Sequence, residues 1–154
     1  MPEHDSSTPP VITVSAVVLR DERGRVLTVR KRGTSRFMLV GGKPEGDETP
    51  AQAAIRECAE ETGLVLDPDR LDLLGTFCAP AANEVGHRVE VTAFTHPWAG
   101  EPVIDAEIEE VRFLDPSLPW PDDISHDLRL HILPALGCGN LVRSTIGPAD
   151  VDES

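Results

Sequence analysis

The sequence predicts an α+β fold in which one mixed sheet is flanked by helices on both faces. Three observations carry this. The elements run strands, helix, strands, helix, which fits neither a parallel βαβ series nor an unbroken run of strands. One helix, between Thr49 and Gly63, carries start and stop signals at its two ends. The chain has 154 residues, 40% of them apolar, enough for one domain around one core.

Residues 1–10 are polar and proline-rich and read as a flexible tail. A single domain is expected over residues 11–143 and a second flexible tail over 144–154. Val11 to Leu19 is rich in Val and Ile and reads as a buried strand. Asp21-Glu22-Arg23-Gly24 signals a turn, and Val26 to Arg30 alternates weakly, so the two strands are expected to form a hairpin. Phe37 to Val40 is a short apolar strand that runs into Gly41-Gly42.

In the helix that follows, Thr49 suits the N-cap, Pro50 the first helical position, and Gln52 completes a capping box with Thr49. Gly63 suits a left-handed residue beyond the last turn. Ala51, Ala54, Ile55, Cys58 and Thr62 recur at helical spacing and predict one buried stripe. Leu71 to Cys78 and Arg88 to Thr95 read as two further strands, joined by an Ala- and Gly-rich loop. A short strand is expected over Val111 to Leu114, then a Pro-rich loop, Asp115 to Pro121. A closing helix over Ile124 to Leu133 should end at Pro134.

Acidic residues outnumber basic ones 27 to 14, a formal charge of −13. Such a surface repels polyanions, so duplex nucleic acid is not an expected partner. A small phosphorylated ligand stays compatible, because a bound cation inverts the local field. Cys58, Cys78 and Cys138 form neither a CxxC pair nor an even disulfide set. The first residues lack a basic and an apolar region of a signal peptide, and no apolar run is long enough to span a bilayer. The expectation is therefore a cytoplasmic protein with reduced thiols and no membrane partner.

Glu57, Glu60 and Glu61 stand at i, i+3 and i+4, so a helix puts them on one face. Three such residues alone would also suit a solvated acidic face. Arg56, four residues before Glu60, and Glu48, at the junction of loop and helix, are placed to steady the carboxylates. With only oxygen donors nearby and no His or Cys beside them, the cluster suits Mg2+, with Mn2+ as an alternative, rather than zinc. Such an ion polarises a phosphoryl oxygen and activates water, and a spare carboxylate takes the water's proton.

The spacing of Gly42, Glu48, Arg56, Glu57, Cys58, Glu60, Glu61, Gly63 and Leu64 resembles the signature of the Nudix hydrolases, G-x5-E-x7-R-E-U-x-E-E-x-G-U with U a bulky aliphatic. Every invariant letter matches, and the one departure is Cys58 at the first U, a small hydrophobe that alters packing rather than chemistry. The resemblance covers 23 residues directly. It implies an α/β/α sandwich and Mg2+-dependent hydrolysis of a nucleoside diphosphate linked to another moiety. It further implies that Glu60 and Glu61 are principal metal ligands and that Glu57 is a ligand or the general base. The Gly41 carbonyl would be a backbone ligand, with Arg56 and Glu48 orienting the carboxylates. Many members use one more acidic residue near a later strand; Glu107, six residues before Phe113, is the first candidate here, with Glu109 and Glu110 as competitors. Many members are homodimers, although no stretch of this sequence marks an interface.

Substrate signals are thinner. A proline 15 or 16 residues past the signature accompanies ADP-ribose hydrolases in the family, and Pro80 lies 16 past Leu64. The Tyr associated with diadenosine polyphosphates is absent, as is the SQPW start of the NADH type. The usual W-x-L-P-G-G approach is replaced by Phe37-Met38-Leu39-Val40-Gly41-Gly42. A compact chain suits a MutT-like enzyme acting on (deoxy)nucleoside triphosphates, oxidised ones included, which we place ahead of ADP-sugars. A nucleotide sensor of the same fold is the contrasting class. His87 in the loop and Trp98 and Trp120 as stacking surfaces are further ligand-facing candidates, though such residues are more often an ordinary loop His and loop anchors, and Asn83 and Glu84 are candidates by position alone.

Overall fold

The structure is a computed structural model that describes residues 10–81, 86–117 and 119–137. The two expected tails therefore fall almost wholly outside the described residues, as do Asn83, Glu84 and Cys138. Six strands form one sheet: β1 (Val11–Leu19), β2 (Val26–Lys31), β3 (Met38–Gly42), β4 (Asp72–Pro80), β5 (Arg88–His96) and β6 (Ile108–Leu114). Their order across the sheet is β4-β5-β1-β3-β2-β6. The sheet is mixed, because β1 runs parallel to β5 while every other pairing is antiparallel.

The central place of β1 explains its sequence. From Ser15 to Leu19 it is buried throughout, since layers cover it on both faces. Val17 and Leu19 pack toward the long helix α1 (Pro50–Thr62) with Val40, Ala54, Cys58 and Phe94. Ala16 and Val18 face the opposite way, against Ile124, Leu128, Ile132 and Leu133 of the closing segment. Two hydrophobic layers thus share one sheet. Each fully buried Leu or Val contributes about 1.5–3 kcal/mol, so neither face is stable without its cover.

The expected hairpin of β1 and β2 is not formed. Only an isolated bridge joins Arg20 and Val26, and β3 is inserted between the two strands. Both edges of β1 are taken, by β3 and by β5. The closing segment also differs from a plain helix ended by Pro134. Ile124 bridges to Phe37, a widened π-helical turn spans Leu128–Ile132, and a short α2 (Leu133–Ala135) contains the proline. The Leu133 N–H reaches back five residues to the Leu128 carbonyl. That wider turn lets a proline sit inside, where a regular turn would press its ring onto a carbonyl.

In α1 the buried set is Ala53, Ala54, Cys58, Glu61 and Thr62. Ala51 and Ile55, expected in the stripe, are only half-buried. The helix is rolled so that Glu61 points inward, which a reading of apolar periodicity assigns to solvent. Among the described residues, no helix is long and apolar enough to cross a membrane.

Candidate active site

Strand β3 ends in Gly41-Gly42, and the chain then loops to α1. Neither glycine has room for a side chain. A Cβ on Gly41 would stand 2.1 Å from the Ser15 carbonyl oxygen of β1, and one on Gly42 would stand 2.4 Å from the Glu57 carboxyl carbon. The loop therefore lies tight against both β1 and the acidic helix. The helix starts on the expected capping box: Thr49 Oγ1 accepts from the Gln52 N–H at 3.1 Å, and Gln52 Oε1 accepts from the Thr49 N–H at 2.9 Å. It stops at Gly63, whose φ of 74° is left-handed and whose N–H donates to the Ala59 carbonyl.

Arg56 organises the mouth of the site. Its Nε and Nη2 donate to the two carboxylate oxygens of Glu48 at 2.6 and 3.0 Å, a planar two-pronged grip. Its Nη1 donates to Glu57 and to Glu60, each at 3.1 Å, and Nη2 also reaches the Lys43 carbonyl at 3.0 Å. The Glu48 hydrogen bond dominates in holding the Arg56 guanidinium above its ordinary pKa, against the opposing effect of burial. In return it holds the Glu48 carboxyl below its own.

The three carboxylates do not share one environment. The Glu60 side chain is 58% exposed, that of Glu57 16%, and that of Glu61 2%. Glu61 Oε1 accepts from the Gly41 N–H at 3.3 Å. Its Oε2 lies 3.1 Å from Lys31 Nζ but lacks a properly aligned hydrogen bond, so it is a buried carboxylate oxygen with charge nearby and no donor in line. Burial pushes the Glu61 carboxyl up to about 7, against the pull of Lys31 and the Gly41 N–H.

Beside these groups opens a cleft of about 630 Å3. Gly41, Gly42, Glu57 and Lys31 line its polar end, and Ile12, Val14, Met38, Leu39 and Val91 its apolar walls. Glu107 lines it as well. Its competitors turn elsewhere. The β2–β6 pairing jumps from Arg30–Glu110 to Lys31–Ile108, leaving Glu109 as an extra residue in β6. Glu109 and Glu110 both pair with Arg30, at 3.1 and 3.2 Å.

Besides Lys31, two further groups in the cleft escaped the sequence reading. Ser15 places there a buried hydroxyl without a hydrogen-bond partner, and Asp127 brings a carboxyl whose pKa burial raises. No local pattern marks either; a Ser in the middle of an apolar strand was the one available signal. The tryptophans are anchors. Trp98 packs edge-on to Phe113 in the layer beneath α1, and Trp120 donates to the Pro116 carbonyl on the other side of the sheet. Neither lines this cleft; Trp98 borders a separate groove with Arg20, Arg70 and His96. His87 contributes its carbonyl to the Ala81 N–H at the β4–β5 connection, and Pro80 ends β4 beside Ala81, which does line the cleft. Cys58 is buried, with its thiol pushed up to about 11, and Cys78 is exposed; both are free.

As arranged, no three Asp, Glu, His or Cys side chains among the described residues form a ready metal cluster. Arg56 and Lys31 hold the carboxylates instead. The donor set nevertheless fits a hard divalent ion. It consists only of oxygens, it includes the undonated Glu61 Oε2, and an ammonium already touches both that oxygen and the Gly41 carbonyl, at 3.1 and 3.4 Å.

Residues 9–134 match the family model for the NUDIX domain. A MutT-like protein of Streptomyces ambofaciens is 30% identical over 150 residues, spanning 85% of this chain and 94% of that protein. An ADP-ribose pyrophosphatase of Methanocaldococcus jannaschii is 28% identical over 109 residues, spanning 69% of this chain but only 62% of its own length. Among solved structures, a MutT NUDIX hydrolase from Burkholderia pseudomallei shares the fold with a TM-score of 0.66 at 22% identity, over 83% of this chain and 97% of that one. Because the family match runs from the first strand through the closing helix, and not merely over the acidic one, this chain belongs to the Nudix family.

Proposed function

We propose that this chain hydrolyses a pyrophosphate bond in a nucleoside diphosphate derivative, with Mg2+ or Mn2+ as cofactor. The preferred substrate class is a (deoxy)nucleoside triphosphate, oxidised forms included, giving a nucleoside monophosphate and pyrophosphate. The observation that carries this is an all-oxygen donor set at the end of one cleft with apolar walls: Gly41 and Glu57 line the cleft, Glu61 stands behind Gly41 on its N–H, and Glu60 shares Arg56 with Glu57. Its acidic end suits a metal-bound polyphosphate. Its apolar end, with Asp127 as a hydrogen-bonding group, suits a nucleobase.

Glu60, Glu61 and the Gly41 carbonyl would hold the ion, with Glu107, which lines the same cleft, as a further candidate ligand. When bound, the ion supplies charge neutralisation of the phosphates and a more acidic water. Glu57, poised over Gly42, is the carboxylate we assign to take the proton of the attacking water. Arg56 keeps Glu48, Glu57 and Glu60 in register and is a positioning residue. The similarity to an ADP-ribose pyrophosphatase, together with Pro80 beside the cleft, favours ADP-sugars as the second substrate class.

The test is a panel of nucleoside triphosphates, oxidised triphosphates and ADP-sugars with Mg2+, scored for phosphate, pyrophosphate and nucleoside monophosphate. Glu60→Gln and Glu61→Gln should each cut turnover by about 10²–10⁴-fold with circular dichroism unchanged. Full activity in both variants would sink the metal-site assignment. Binding across the panel without turnover would make the chain a nucleotide sensor.

A further inference from the structure

We propose that Lys31 is the built-in counter-ion of the cation site: its ammonium fills the divalent ion's place in the metal-free protein and yields it when the ion binds. This rests on the metal site proposed above and deepens it.

Lys31 ends β2, where Leu27 and Val29 face the layer beneath α1. Strand alternation puts Lys31 on that same face, under the acidic helix. Its Nζ lies 3.1 Å from Glu61 Oε2 and 3.4 Å from the Gly41 carbonyl oxygen. Those two oxygens come from a helix and from a strand end 20 residues apart, and both belong to the proposed ligand set. A single positive group bridging them stands where a cation would.

The fit is incomplete in a telling way. Glu61 Oε2 is buried and receives charge from Lys31 without an aligned hydrogen bond. A buried carboxylate gains from a partner that also satisfies its lone pairs, and a hard cation does so from any approach. Lys31 is also built to leave. Its side chain is 33% exposed, lines the open cleft, and carries its charge on a flexible four-carbon stem. Arg56 contrasts with it, being fixed by a two-pronged grip on Glu48. The acidic site can therefore fold without metal because it carries its own cation.

The experiment titrates EDTA-treated protein with Mn2+, following free Mn2+ by electron paramagnetic resonance, in wild type, Lys31→Met, Lys31→Gln and Glu61→Gln. Both Lys31 variants should bind the first Mn2+ roughly tenfold more tightly than wild type, since the ion no longer displaces an ammonium. In EDTA they should also melt below wild type, and saturating Mn2+ should close that gap. Affinity equal to or below wild type in both variants overturns the proposal. A measurement on wild type alone guards against variants that do not fold. Lys31 and Lys43 are the two lysines of the chain, so amine acetylation read by mass spectrometry resolves them. Mg2+ should speed labelling of Lys31 relative to Lys43, and an unchanged ratio overturns the displacement. If Glu61→Gln weakens Mn2+ binding while the Lys31 variants leave it unchanged, the counter-ion role alone fails. If wild type takes up no Mn2+, the metal site fails and this proposal with it.

Discussion

Gly41 and Gly42 are neighbours in the chain, yet they are required for different reasons. The space beside Gly41 is filled by the backbone of β1, which cannot move without disturbing the sheet. The space beside Gly42 is filled by the carboxylate of Glu57, the far end of a flexible side chain. Gly41→Ala should therefore cost stability, lowering the melting temperature. Gly42→Ala should leave stability within about 1 kcal/mol of wild type and lower kcat by about 10–100-fold, as displacement of a supporting or ligating group does. Calorimetry and steady-state kinetics on the pair check this; equal behaviour of the two variants would contradict it. Glu61 shows the same dependence on surroundings. Its type and spacing match those of Glu57 and Glu60, but its burial makes it the carboxylate whose charged form most needs a cation.

At the scale of elements, α1 holds the site together from its first turn. The capping box fixes where the helix begins, and with it the angle at which Arg56 meets Glu48 across the loop. Thr49→Ala removes the side-chain acceptor for the Gln52 N–H and should cost about 1 kcal/mol. In a domain of this size that is a fall of about 2–4 °C in melting temperature. Thermal denaturation checks it, and a change below 1 °C would show that tertiary packing alone sets the start of the helix. The other element that matters is β6. Its extra residue, Glu109, brings Glu109 and Glu110 together onto Arg30 and leaves Glu107 at the cleft. The π-helical turn before α2 similarly admits Pro134 while keeping Leu128, Ile132 and Leu133 in the core.

For the molecule as a whole, the buried carboxylate links stability to pH. The Glu61 carboxyl is raised from its ordinary 4.5 to about 7, chiefly by burial. Below 4.5 it is protonated in both the native and the unfolded chain. Between 4.5 and 7 the unfolded chain loses the proton and the native one keeps it, so stability falls as pH rises. Above 7 the loss is complete. Metal-free wild type should therefore lose melting temperature relative to Glu61→Gln from pH 5 to pH 8, with most of the change below 7. A difference that stays constant over that range would show that Glu61 is ionised throughout. The sequence by itself determined the parts that local physics governs. Caps, helical spacing and turn residues placed Glu48, Arg56, Glu57, Glu60 and Glu61 on one loop and helix within 23 contiguous residues. The alternation of strands and helices likewise made the sandwich legible. Only the tertiary structure decided which carboxylate is buried, that β3 separates β1 from β2, and that Lys31, Ser15, Glu107 and Asp127 meet at one cleft. These depend on strand order, register and the roll of α1 on the sheet. They are set by packing between residues far apart in the chain, which no local pattern encodes.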